Sequence, residues 1–319
     1  MYDVENGIRI SGTGLWLDAT KKVPFSFISH AHSDHVRQHK HILATPQTIS
    51  LIKIKTRIGR FTQLAFGEEY NLNGLTLELL PAGHILGSAQ ILVRRENIRL
   101  LYSGDFSTEN NVTAEQCEIR QADILIMEST FGAPQYIFPP KWIIIEKLVL
   151  FIDSCFNKGL IPIILGYGIG KAQEALKILG DLDYQVSVHP SIIPVIKIYE
   201  KFGVQFKNYQ AYQGEDLRNR VLIIPPQFSR GHLVKQIVNA KKLMLTGWAI
   251  MPQAKFRYGA DEALPFSDHA DYNQLIEYVH KVNPRRVFIT HGFNQFVHDL
   301  RREGFIAELL QENPQRSLF

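Results

Sequence analysis

The chain has 319 residues, 45% hydrophobic and 21% charged, with a formal net charge of +4. That length supports a large core in one elaborated domain or two, and the charge permits a polyanionic partner without requiring one. No apolar stretch approaches the roughly 20 residues of a membrane span, and Met1-Tyr2-Asp3-Val4-Glu5 lacks the basic and apolar regions of a secretory signal, so the expectation is a cytoplasmic protein without membrane association.

In chain order, the apolar run 24–28 predicts a buried strand leading directly into His30-Ala31-His32-Ser33-Asp34-His35. A strand that ends in a tight loop can point His30 and His32 to one side while Asp34 and His35 turn to another, which suits two adjacent metals. Imidazole nitrogen and carboxylate oxygen are the ligands zinc takes in sites that keep a position open for water. Thr45 and Pro46 read as a helix N-cap and first helical position. Residues 75–80, 89–94 and 98–103 read as strands, with a hairpin turn at Glu96-Asn97 between the last two. His84 lies between Gly83 and Gly87, where glycine allows tight turns, and Asp105 closes Leu101-Tyr102-Ser103-Gly104-Asp105 just past a strand. In Asp123-Ile124-Leu125-Ile126-Met127-Glu128 four apolar residues lead to Glu128, which taken alone could be an ordinary strand-end carboxylate. The cysteines, Cys117 and Cys155, lie far apart and away from these groups, as reduced structural thiols would.

From about 133 to 240 the pattern changes to a long helix at 141–157, a strand at 160–165, a helix at 171–179, and strands at 185–188 and 221–224. This alternation predicts a small parallel sheet with helices, inserted into the domain that carries the His and Asp residues. Its Gly166-Tyr167-Gly168-Ile169-Gly170-Lys171 segment lacks the glycine and the Ser or Thr that a Walker A loop needs, because Leu165 and Ala172 stand there. An ATPase is therefore not expected. Gly168, Gly170 and Lys171 are either a phosphate-binding turn at a helix start or a purely structural one. Lysines and arginines at 53–60 and 235–257 either line a phosphate-binding surface or form solvated faces. Past the insert, His269 lies in Ser267-Asp268-His269-Ala270-Asp271, Asp271 opens a helix toward Val282, and His291 ends the strand-like Val287-Phe288-Ile289-Thr290-His291-Gly292 before a last helix at 294–303.

Taken together, the HxHxDH cluster, His84, Asp105 and His291 resemble the metallo-β-lactamase superfamily. The resemblance implies an αββα sandwich, an α/β class that spacing alone leaves unspecified. It also implies one zinc on His30, His32 and His84, a second on Asp34, His35 and His291, and Asp105 between them. His32 stands where an oxygen-reducing diiron branch carries Glu, which favours zinc, with manganese as the alternative metal. The Glu128 and His269 segments and Thr290-His291-Gly292 resemble motifs of the β-CASP nucleases, so the insert would be a compact β-CASP cap over 133–240, within a discontinuous metal domain of 1–132 and 241–319. Within that subgroup, Gly168-Ile169-Gly170-Lys171-Ala172-Gln173 and Thr246-Gly247-Trp248 resemble the ligase-associated DNA exonucleases, and messenger-RNA 3′-end processing factors look much the same.

What the resemblance implies is a nuclease with nucleic acid as substrate, DNA before RNA, and a DNA ligase or helicase as partner. Asp34, Glu128 and His269 would be catalytic, with His269 giving a proton to the departing oxygen and Glu128 orienting its ring. The products would be a 5′-phosphate and a 3′-hydroxyl. The rival readings are a thioester or lactone hydrolase, which needs neither cap nor Glu128–His269 pair, and a nucleic-acid-binding pseudo-enzyme, which should show a broken ligand set. Strand preference, polarity, exo- against endonucleolytic action and oligomeric state are not legible in these residues.

Overall fold

The structure, a computed structural model, describes residues 2–4, 7–57, 59–251 and 253–310. The chain divides into two compact units, Met1–Tyr136 with His269–Phe319, and Ile137–Asp268.

In the first unit, residue alternation along the strands builds two packed sheets. One has six strands, from Tyr2–Val4 through Phe25–Phe27 and His41–Ala44 to Arg60–Gln63. The other has seven, in the order Ala307–Leu309, Arg286–Gly292, Ile124–Ser129, Ile98–Tyr102, Ala89–Arg95, Leu75–Pro81 and Glu69–Leu72. Successive side chains of a strand point to opposite faces. Leu79, Leu100, Tyr102 and Ile126 accordingly join Ile10, Phe27 and Leu43 in the core between the sheets. Their neighbours Leu80, Leu101, Leu125 and Met127 pack outward against Leu275, Tyr278 and Val279 of the Tyr272–Val282 helix and Phe296 and Leu300 of the Asn294–Arg302 helix. Burial on both faces is why these strands read as nearly continuous apolar runs. Asp271 caps the first of these helices, accepting from Gln274 N at 2.9 Å, and Thr45 caps the Pro46–Ile52 helix flanking the six-stranded sheet. The unit is thus the expected αββα arrangement.

Strand direction sets the site. Ile98–Tyr102, Ile124–Ser129 and Arg286–Gly292 are parallel neighbours, with Leu101 opposite Leu125 and Leu125 opposite Val287. Leu75–Pro81 runs the same way, because two antiparallel pairings separate it from Ile98–Tyr102. Four strands therefore end at one edge, where His84, Asp105, Glu128 and His291 stand. The six-stranded sheet joins that edge where Ala89 N donates to Ser29 O at 2.8 Å, one residue before His30.

The second unit holds a six-stranded sheet in the order Tyr209–Ala211, Val186–Val188, Val221–Ile224, Ile161–Leu165, Ala240–Leu245 and Glu262–Leu264. Every pairing in it is parallel. One face packs on the Lys141–Asn157 and Lys171–Asp181 helices through Ile164, Val186, Ile223 and Leu243, and the other through Ile163, Leu165, Leu222 and Met244 with Leu217 and Val234. The boundary expected at 240 is corrected here: Ala240–Leu245 pairs with Ile161–Leu165, and Glu262–Leu264 extends the same sheet, so the inserted unit runs to Asp268.

Candidate metal centre

The edge of the first unit gathers imidazoles and carboxylates. His30 Nε2 and His84 Nε2 each lie 3.1 Å from His32 Nδ1. Asp105 Oδ2 is 3.5 Å from both His30 Nε2 and His35 Nε2. Among the described residues, four overlapping groups have ligand atoms within 4.8 Å of one another: His30 with His32 and His84; His30 with His35 and Asp105; His84 with Asp105 and His269; and Asp105 with Glu128 and His291. The Asp34 carboxylate stands apart. It is largely exposed, and its Oδ2 is 3.9 Å from His35 Nε2. Of the second-ion set expected from Asp34, His35 and His291, His35 groups with His30 and Asp105, and His291, which is exposed, groups with Glu128 and the same Asp105.

The turns that present these side chains need glycine. Gly83 has φ +76, and a Cβ there would lie 2.2 Å from Ser107 O; Gly104 has φ +55, and a Cβ would meet Ser29 Cβ at 2.6 Å. An L side chain at either position would push His84 or Asp105 off the edge.

Asp18, which sequence reasoning missed, organises the cluster from behind. Its Oδ1 accepts from Ser29 N at 2.8 Å, and its Oδ2 accepts from Ser29 Oγ at 2.6 Å, Tyr102 OH at 2.9 Å and His35 Nδ1 at 3.0 Å. Because Ser29 Oγ spends its proton on Asp18, it accepts from His30 Nδ1, 2.9 Å away. Both imidazoles thus carry a proton on the nitrogen facing away from the cluster and turn Nε2 inward. The available signal was an Asp directly after the apolar Leu15-Trp16-Leu17, in a left-handed conformation (φ 41) that Asp tolerates better than most residues.

Charge in this cluster is strongly biased. Burial, helped by the charge on His35, holds His30 well below the ordinary imidazole range, so it stays neutral. Burial also disfavours charge on His35, but the carboxylates of Asp18 and Asp105 outweigh it and push that pKa up to about 11. Burial would raise Asp105, yet His35 and then His30 hold it well below the usual carboxylate range. Asp105 Oδ1 is buried with no hydrogen-bond partner. A buried ionised oxygen of this kind is costly unless a cation meets it. The donor set, inward-facing imidazole nitrogens around an anionic oxygen, with His30 held neutral and His35 able to give up its proton to an incoming cation, fits a borderline-soft metal such as zinc.

Beside this centre His269 Nδ1 donates to Glu128 Oε1 at 2.8 Å. Glu128 is buried and also accepts from Phe106 N at 3.1 Å and from Thr130 N and the Thr130 hydroxyl. Burial works against its charge, but His269 outweighs that and keeps the carboxyl below its ordinary pKa. Ala270 N, donating to Phe106 O at 2.9 Å, fixes the loop on which the imidazole stands.

In the second unit Lys171 departs from the phosphate-holding role weighed for it. The side chain is buried and its ammonium donates to Asp268. Gln173 closes the glycine turn, its Oε1 accepting from Gly170 N at 2.8 Å and its Nε2 donating to Gly168 O at 3.1 Å. The Gly168–Lys171 turn is therefore tied up internally rather than presented as a cradle for an anion. Lys141 donates to the buried Glu174 at 2.6 Å in the same region.

Residues 261–304 match the family model of the zinc-dependent metallo-hydrolase RNA specificity domain. That match agrees with the site, where a donor cluster and a carboxylate–imidazole pair share one sheet edge as a metallo-hydrolase needs. The chain is 39% identical to a probable DNA ligase of Opitutus terrae over 99% of its own length and 32% of that protein's. It is 26% identical to an RNase J-like protein of Methanocaldococcus jannaschii, covering 85% and 82% of the two chains, and 24% identical to the endoribonuclease YSH1 of Yarrowia lipolytica, covering 82% and 38%. The chain thus spans about a third of the ligase relative's length. These likenesses agree with the resemblance to the metallo-β-lactamase superfamily and its β-CASP nucleases.

Proposed function

We propose that this protein is a metal-dependent nuclease that hydrolyses phosphodiester bonds, with DNA as its substrate and exonucleolytic trimming as its action. The observation that carries the reading is the Glu128–His269 pair set beside the Asp105-centred cluster. Hydrolysis of a phosphodiester needs an activated water, neutralisation of charge on the phosphoryl oxygens and a proton for the departing ribose oxygen. His30, His32, His35, His84, Asp105 and His291 would hold zinc, as two ions or with manganese in their place, and the metal would supply the first two when bound. His269 supplies the third. Its Nδ1 is committed to Glu128, which leaves Nε2 to give a proton to the leaving 3′-oxygen, and the ionised Glu128 stabilises positive charge on the ring until then. A 5′-phosphate and a 3′-hydroxyl result.

DNA is favoured because a relative matching nearly the whole chain is named a probable DNA ligase; the same likeness supports association with a DNA ligase, with a helicase as the alternative partner. The second reading, an RNA-processing nuclease, draws on the RNA specificity domain match and on the RNase and endoribonuclease relatives. Purified protein mixed with end-labelled DNA and RNA, each single- and double-stranded, with and without a chelator, tests both. Metal-dependent degradation of DNA from one end is expected. Cleavage of RNA alone selects the second reading, and degradation of none in metal-replete buffer removes both.

A further inference from the structure

All six strands of the second unit's sheet are parallel, so their carboxyl ends share one edge. Ligands of open parallel sheets bind outside such an edge. In strand order, the segments leaving five of these ends carry a ring: Tyr212 after Ala211, His189 after Val188, Phe228 four residues past Ile224, Tyr167 two past Leu165, and Trp248 three past Leu245. Tyr167 is 41% exposed, with the Lys171 ammonium 5.3 Å from its ring centre, and the other four are half-buried, Tyr212 and Phe228 resting partly on the core of the unit.

Two contacts tie neighbouring members together. His189 and Phe228 stack with centroids 4.2 Å apart and planes 16° from parallel. Ser229, next to Phe228, donates to Tyr258 O at 3.2 Å, and the Tyr258 and Tyr167 hydroxyls are 3.1 Å apart. Adjacent strands lie about 4.8 Å apart, so five neighbouring strand ends spread the rings over roughly 20 Å, the reach of a few nucleotides of extended strand. Two exposed cations accompany them: Arg230, whose guanidinium lies against Gly259, and Arg257, 6.0 Å from the Tyr258 ring. Glu215, which accepts from Ser187 Oγ at 2.8 Å near Tyr212, puts a negative charge at the far end of the row.

We infer that this aromatic row is a stacking platform for the unpaired bases of a single nucleic-acid strand, with Arg230 and Arg257 on its phosphates. Every base offers a π-face, so such a row binds without sequence preference, and it discriminates against a duplex, whose bases are already stacked on one another. The inference rests on the nuclease reading and narrows its substrate to an unpaired strand.

The test separates binding from turnover. Anisotropy of a labelled oligonucleotide of about 12 nucleotides, single-stranded or as its duplex, is measured in chelator for Tyr167→Leu, Phe228→Leu and Trp248→Leu, which keep apolar bulk but lose the ring. Single-strand affinity should fall about 5- to 100-fold per ring, with duplex affinity unchanged and Tyr167→Phe near the parent. In parallel, hydrolysis of bis(p-nitrophenyl) phosphate by the metal-loaded proteins should be the same in all variants, because a small diester needs no platform. Unchanged single-strand affinity in Tyr167→Leu, the most exposed position, overturns the inference, as does an equal loss for duplex. Failure of the parent protein to cleave the small diester overturns the nuclease reading and leaves the binding result standing.

Discussion

Asp18→Asn is the sharpest perturbation of the metal centre, because it changes charge and proton placement while preserving shape. Asn tolerates the left-handed conformation Asp18 adopts at φ 41, so the backbone is not strained. The amide must turn its NH2 toward either Ser29 N or the three donors held by Oδ2, namely Ser29 Oγ, Tyr102 OH and His35 Nδ1. Facing Ser29 N is cheaper. It leaves both the Ser29 N–H and the amide NH2 set against it without an acceptor, at about 1–3 kcal/mol each, and weakens a charge-assisted bond to His35 by about 1 kcal/mol. Together they predict a loss of about 3–7 kcal/mol in stability, read by urea denaturation in chelator. Partners that orient a metal-binding imidazole are each worth about 10- to 100-fold in affinity, so zinc competition against a chromogenic chelator should show that loss. A variant that loses stability but binds zinc within about twofold of the parent would show that Asp18 supports the fold alone.

Three further outcomes follow from the same geometry. His269→Ala should keep its metal and lose about 10²- to 10⁴-fold in turnover, whereas His84→Ala should lose metal and activity together; metal analysis beside kinetics distinguishes a proton donor from a ligand. Gly83→Ala combines φ +76 with a Cβ placed 2.2 Å from Ser107 O, and should lower both melting temperature and zinc content by displacing the His84 turn; a fully loaded variant would show that the turn can relax. Lys171→Met, which leaves Asp268 buried without its cation, should cost about 3–5 kcal/mol in urea denaturation, and Lys171→Met with Asp268→Leu should recover most of it. An unchanged salt slope for nucleic-acid binding in the double variant is expected, and a shallower one would return Lys171 to phosphate contact.

Much of the centre was legible because its residues sit where strands stop. His84, Asp105, Glu128 and His291 each follow an apolar run that could only be a buried strand, and parallel strand direction brings such ends to one edge. The cluster at His30 was legible from its own spacing. Asp18 was not, since it acts from 17 residues before His35 and has no partner within its local wording. The Gly168–Lys171 turn misled for a related reason: its glycines suit an anion, but the groups that close it are Gln173, one turn along the helix, and Asp268, 97 residues away. The cap boundary fell short because Ala240–Leu245 is as apolar at its end as any strand of the other unit; only its pairing with Ile161–Leu165 assigns it. Strands of two to four residues, such as Trp16–Leu17 and Tyr2–Val4, are too short to display a period.

His30 and His35 show why residue type alone does not define a ligand. Both are imidazoles of one loop, both turn Nε2 to the same Asp105 oxygen at 3.5 Å, and both are removed from water. Yet His30 is held neutral while His35 is held positive. The difference lies behind the rings. His30 Nδ1 meets the neutral Ser29 hydroxyl, and His35 Nδ1 meets the Asp18 carboxylate. Ser29 and Asp18 are themselves bonded, so one carboxylate fixes the orientation of both rings while lending its charge to only one. A negative group placed one bond further from His30 than from His35 is enough to give two chemically identical side chains different affinities for a cation.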